Sequence, residues 1–170
     1  MIETQAMKPQ IEQLAEALGY RLAERGISLT TAESCTGGWL AQAVTAVPGS
    51  SVWFDRGFVT YSNRSKQDML GVDGATLAAH GAVSAPVVAE MVAGALARST
   101  AGIAVAVSGI AGPGGGSEEK PVGTVYLAWA LAGGEPRIQR LQFAGDRAEV
   151  RRQSVRLALE GLLEVLDDNG

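Results

Sequence analysis

Ile27-Ser28-Leu29-Thr30-Thr31-Ala32-Glu33-Ser34-Cys35-Thr36-Gly37-Gly38-Trp39-Leu40 is the stretch on which the fold turns. Ile27 to Ala32 reads as a short buried strand. From about Gly38 to Val47, the residues Trp39, Leu40, Ala43, Val44 and Val47 recur at helical spacing, and Pro48-Gly49 closes the helix. The turn between them sets Ser34 beside helix N–H groups that have no intrahelical acceptor. Two readings follow. Ser34 is a nucleophile whose oxyanion the amides near Cys35, Thr36 and Gly37 would hold, or Ser34 or Thr36 simply caps the helix.

Working outward, Ile11, Leu14, Ala15, Leu18 and Leu22 predict a first helix stopped by Gly26. The latter end of Val52 to Ser62 reads as a strand. Asn63 is placed to cap a short helix through Leu70, and Asp73 another reaching His80. Ser84, with Pro86 in the first turn, opens a longer helix whose apolar face is Val87, Val88, Met91, Val92 and Leu96. Ile103 to Val107 alternates alanine with larger apolar residues, as a strand buried on both faces would. Thr124 to Leu131 and Ile138 to Phe143 flank Gly133-Gly134 as a hairpin. Asp146 with Glu149 forms a capping-box pattern before a long final helix. Strand and helix alternate and an antiparallel hairpin comes late, which predicts an α/β fold: a three-layer α/β/α sandwich with a mixed, mostly parallel sheet. Ligands of such sheets bind beyond the carboxyl ends of strands. The loops at Glu33–Gly38 and Ser108–Gly116, with Tyr61 closing a third strand, would converge on one such rim.

At 170 residues one domain, 1–170, is expected. Net charge is −4 and no basic run occurs, which disfavours a nucleic-acid partner. No apolar stretch reaches the length of a membrane span, and Met1 to Gln10 lacks the apolar core of a signal peptide. A single cysteine permits no internal disulfide, and a single cysteine with a single histidine makes a transition-metal site improbable. A cytoplasmic protein is the plain reading. Glycine- and alanine-rich helix faces favour a homodimer over other assemblies.

Other segments carry chemistry only in combination. Lys66, five residues after Tyr61, becomes a general base if burial lowers its pKa, with the tyrosine hydroxyl as a relay; the ordinary alternative is a packed tyrosine and a solvated lysine. Ser108-Gly109-Ile110-Ala111-Gly112-Pro113-Gly114-Gly115-Gly116 lets backbone amides converge on an anion, but it is not a P-loop. Cys35 is either a rival nucleophile at a helix N-terminus or a small buried residue. His80, at a helix end, is a poor catalytic candidate, which removes a Ser-His-Asp triad. Arg147, Arg151 and Arg152 form a basic helix face able to reach an anion or simply to be solvated.

Six motifs in order resemble one family: residues 31–38, 57–63 with Lys66, 81–84, 108–113, 120–125 and 145–147. Together they are similar to the C-terminal domain of the competence-damage-inducible protein CinA in its stand-alone bacterial form, across nearly the whole chain. The resemblance implies an α/β/α sandwich and hydrolysis of nicotinamide mononucleotide to nicotinate mononucleotide and ammonia, in pyridine-nucleotide salvage. It implies catalytic roles for Ser34, Tyr61 and Lys66, with no metal and no cofactor. Ser34 would attack the carboxamide, and Lys66 would take the proton directly or through Tyr61. Substrate would lie against Cys35, Thr36, Gly37, Ser108, Gly109, Ala111, Gly112, Gly114 and Gly115, its phosphate on the glycine-rich loop with Thr36 or an arginine assisting. Alternatives are a Ser-Lys amidase acting on another small amide and a non-catalytic nucleotide-binding or competence-related module.

Overall fold

Alternation of residue size along two central strands sets the layers. In β3 (Ile103–Gly109) and β4 (Thr124–Leu131), Ile103, Val105, Val107, Val125, Leu127 and Trp129 face one core. Ala104, Ala106, Ala128 and Ala130 face the other. The structure is a computed structural model and describes residues 9–170; the reading of the first ten residues as lacking a leader falls, for 1–8, outside the described residues. The large side chains meet α1 (Gln10–Arg25), α2 (Trp39–Thr45) and α6 (Arg147–Asp168), which contribute Leu18, Leu22, Leu40, Val155, Leu159 and Leu162. The alanines admit α5 (Ala85–Ala97), whose Val87, Val88, Met91 and Val92 close the second core with α3 (Asn63–Leu70) and α4 (Gly74–His80). Each fully buried Leu, Val or Met contributes about 1.5–3 kcal/mol. Trp129 keeps its indole N–H satisfied at the Ala158 carbonyl, 2.9 Å away.

The sheet order is β2-β1-β3-β4-β5, with β1 at Leu29–Glu33, β2 at Phe54–Val59 and β5 at Arg137–Gln142. β1 runs parallel to both β2 and β3, and β4 is antiparallel to β3 and β5. The sandwich expected from the sequence is therefore present, and the carboxyl ends of β1, β2 and β3 share one edge. The chain leaves β1 toward the α2 side and β2 toward the α3 side, so a cleft opens where the two connections diverge.

Element ends shift by a few residues. Ser62, not Asn63, caps α3: its hydroxyl accepts from the Ser65 amide, and the Ser65 hydroxyl accepts from the Ser62 amide. Asp73 accepts from the Ala75 amide at the start of α4. Ser84 occupies the cap position of α5, but its hydroxyl donates to the Gly81 carbonyl instead. Asp146 accepts from the Glu149 amide, whereas the Glu149 carboxylate pairs with Arg152 rather than returning to the cap. Among the described residues no helix is long and apolar enough to cross a membrane.

Candidate active site

Glu33 is the last paired residue of β1, opposite Val59 and Val107. The Ser34 amide donates to the Val107 carbonyl at 3.0 Å, which pins the residue to the end of the sheet. The chain then reverses. The Gly37 amide donates to the Ser34 carbonyl at 3.0 Å, and Gly37 and Gly38 take φ of 60° and 101°. Residues with a Cβ rarely adopt that conformation, so the paired glycines are what the turn requires.

Neither Ser34 nor Thr36 caps α2. The Glu33 carboxylate does so from the strand, accepting from the Leu40 amide at 2.8 Å and the Ala41 amide at 3.0 Å. It also accepts the Thr36 hydroxyl at 2.6 Å. Glu33 is fully buried, and a carboxylate at a helix N-terminus is well placed for the helix dipole. The sequence hides this role, because Glu33 precedes the hydroxyl cluster that looks like a cap. Glu33→Gln turns one acceptor into a donor facing an N–H group, and is expected to cost about 2 kcal/mol in urea unfolding.

Lys66 sits in the first turn of α3, one turn before Leu70, and both are buried. It occupies a position where an apolar residue would be ordinary. Its Nζ lies 3.0 Å from Ser34 Oγ, 2.7 Å from the Thr60 carbonyl and 3.5 Å from the Tyr61 carbonyl. No ion pair involves Lys66 among the described residues. Burial pushes its pKa down from the ordinary lysine value, opposed by a smaller influence from Cys35. A neutral Lys66 can accept the Ser34 O–H while donating to the Thr60 carbonyl, which is the arrangement of a nucleophile with its base.

A pocket of about 200 Å³ opens over this pair, walled by Ser34, Cys35, Tyr61, Lys66 and Arg147, by Ala82 and Val83, and by Ser108, Gly109 and Ala111. The three strand-end segments thus converge, as expected. Ser108 donates its hydroxyl to the Ala82 carbonyl at 2.9 Å, holding the 81–84 segment as a wall. Thr36, Gly37, Gly112, Gly114 and Gly115 do not line it. The Thr36 hydroxyl is spent on Glu33 and the Gly37 amide on Ser34. The Tyr61 hydroxyl accepts from Arg147 Nη2 at 3.2 Å and makes no hydrogen bond to Ser34 or Lys66; Arg147 Nη1 donates to the Gly112 carbonyl at 2.8 Å. Of the three arginines, only Arg147 reaches this pocket. Arg152 lines a larger depression of about 340 Å³ beside α1 and α2, which contains none of the Ser34–Lys66 groups.

No backbone carbonyl accepts from the amides of Cys35 and Thr36 among the described residues. The Cys35 side chain is turned into the core, where a Cβ at Gly109 would lie 3.2 Å from its Sγ. Burial pushes its thiol up to about 11. It is a thiol, not a thiolate, at neutral pH, and the small buried residue of the two readings. His80 ends α4 and its carbonyl accepts from Lys120 Nζ at 2.7 Å, away from the pocket.

Fold and site together define a three-layer α/β/α protein with a buried serine–lysine pair at the rim of its parallel strands. The family model of the CinA C-terminal domain matches residues 11–166, and the chain belongs to that family. It is 58% identical over 153 residues to nicotinamide-nucleotide amidohydrolase PncC of Escherichia coli (strain K12), covering 90% of this chain and 93% of that one. It is 51% identical over 158 residues to a CinA-like protein of Akkermansia muciniphila, covering 93% of this chain and 38% of that protein. Among solved structures, the competence/damage inducible protein CihA from Agrobacterium tumefaciens superposes with a TM-score of 0.91 at 47% identity, over 96% of this chain and 99% of that one.

Proposed function

We propose that this chain, as a single amidohydrolase domain, hydrolyses the carboxamide of nicotinamide mononucleotide to the carboxylate and ammonia. This would be a salvage step on a soluble nucleotide in the cytoplasm. The observation that supports it most is the 3.0 Å approach of an unpaired, buried Lys66 to Ser34, in a chain with 58% identity to a nicotinamide-nucleotide amidohydrolase.

The cationic pyridinium ring withdraws electrons from its carboxamide and makes the carbon easier to attack. Ser34 Oγ bonds to that carbon while its proton passes directly to Lys66 Nζ. The Cys35 amide, at the pocket wall, receives the oxyanion; one such donor is worth about 3 kcal/mol. The tetrahedral adduct collapses, the C–N bond breaks, and Lys66 returns its proton to the leaving ammonia. Water then attacks the Ser34 ester with Lys66 as base, releasing nicotinate mononucleotide and the free hydroxyl. The direct Ser34–Lys66 contact needs no relay, so Tyr61 serves at the pocket mouth, holding Arg147. Arg147 is the cation placed to meet the phosphate, beside Gly109 and Ala111.

The test is ammonia release from nicotinamide mononucleotide, nicotinamide riboside and free nicotinamide side by side. Release is expected to be fastest from the mononucleotide. Equal rates on all three would point to a general small-amide hydrolase, and no release from any of them would end the reading.

A further inference from the structure

Arg151 does not line the pocket, yet it grips the turn that carries Ser34. From α6 its Nε donates to the Cys35 carbonyl at 3.1 Å and its Nη2 to the Thr36 carbonyl at 3.2 Å. Its guanidinium carbon lies 5.9 Å from the centroid of the Trp39 ring, within cation–π range. Glu33 holds the same turn through the Thr36 hydroxyl and the first amides of α2. The turn is thus clamped between a buried carboxylate and a planar cation that do not touch one another.

A trans peptide is planar, and its C=O and N–H point in opposite directions. Drawing the Cys35 carbonyl onto Arg151 therefore turns the Thr36 amide away from the guanidinium. The Ser34 carbonyl, held by the Gly37 amide, fixes the Cys35 amide in the same way. Of these two residues only Cys35 lines the pocket, so its amide is the one a bound group meets. A charge-assisted hydrogen bond to each carbonyl is also stronger and more directional than a neutral one.

We infer that Arg151 is a positioning residue: by holding the Cys35 and Thr36 carbonyls it fixes the turn that presents Ser34 and the Cys35 amide to the pocket. The inference rests on the acyl-transfer reading of Ser34 but not on the identity of the amide. Donors fixed before reaction cost no reorganisation when charge develops. A loose turn would still bind ground-state ligand, because Arg151 does not face it.

The experiment compares wild type with Arg151→Met, which keeps a flexible stem over Trp39 but no donor, and Arg151→Lys, which keeps the charge but replaces the planar fork with a single ammonium. Covalent labelling of Ser34 by a fluorophosphonate, followed by intact mass, reads the nucleophile and the Cys35 amide without any nucleotide. Steady-state ammonia release from nicotinamide mononucleotide and the affinity for nicotinate mononucleotide are measured in parallel. Labelling rate and kcat are expected to fall together by about 10- to 100-fold in Arg151→Met, short of the loss for deleting an oxyanion donor outright. Arg151→Lys should fall between, and KM and product affinity should be unchanged. Unchanged labelling, or a parallel loss of product affinity, overturns the inference. Should Arg151→Met fail to fold by circular dichroism, the lysine variant decides on the same readouts. A wild type that labels but releases no ammonia defeats the proposed substrate alone, leaving the labelling ratio to decide this inference; a wild type that does not label at residue 34 defeats both.

Discussion

Ser34→Ala is expected to lower ammonia release by about 10⁴-fold or more while the protein stays folded. The hydroxyl sits at the end of β1, its amide is bonded to Val107, and the adjoining helix is capped by Glu33. Removing one oxygen therefore leaves the backbone supports in place. Cys35→Ala is expected to retain activity. The thiol is buried against Gly109 and, with burial pushing it up to about 11, it is protonated under assay conditions. Alanine keeps a small apolar group there. The pair of variants, assayed for ammonia and checked by thermal melting, separates the two neighbouring nucleophiles. An active Ser34→Ala with a dead Cys35→Ala would reverse the assignment.

Lys66→Met is expected to lower ammonia release by about 10³-fold, the range of a lost general base, and at the same time to stabilise the fold. Methionine fills the same channel beside Leu70 without a group that burial penalises. The direction with pH follows from the depressed pKa in the folded state. Between that value and the ordinary lysine pKa of about 10.4, the unfolded chain holds a proton that the folded chain does not. Wild-type stability attributable to Lys66 is therefore full above about pH 10.4 and is lost as pH falls through the folded-state pKa. The advantage of Lys66→Met in denaturant unfolding should shrink to nothing at high pH and be greatest on the acid side. The wild-type rate should climb with pH until Lys66 is neutral and then level off, with the midpoint below the ordinary lysine value. In Lys66→Met that limb should disappear from the residual rate. A variant that loses activity without altering the pH dependence of either quantity would place Lys66 in a packing role only.

The layered fold was legible because burial leaves a periodic mark. Alanine alternating with larger residues in Ile103–Val107 announced a strand covered on both faces, and Thr124–Leu131 was bounded as observed. Caps were less legible, since each segment offers several acceptors within a few residues: Ser62 beside Asn63, and Glu33 beside Ser34 and Thr36. Ser62 and Glu33 carried the caps that Asn63, Ser34 or Thr36 were placed to carry. In both cases the acceptor used is the one the preceding strand delivers to the helix axis. The glycine-rich loop meets the pocket over a shorter stretch than its composition suggests. Gly109 and Ala111 reach the pocket, whereas Gly112 enters only through its carbonyl, at Arg147.

By itself the sequence determined the elements, their order and a short list of reactive side chains, because propensity, periodicity and turn chemistry act over a few residues. Only tertiary structure decided what those side chains meet. Sheet order brings Lys66 to Ser34 across 32 positions of chain and commits the Tyr61 hydroxyl to Arg147. Arg151 reaches the serine's turn from the final helix. Burial without a counter-charge, which is what lowers the lysine's pKa, belongs to the packed interior, and no local window of residues encodes it.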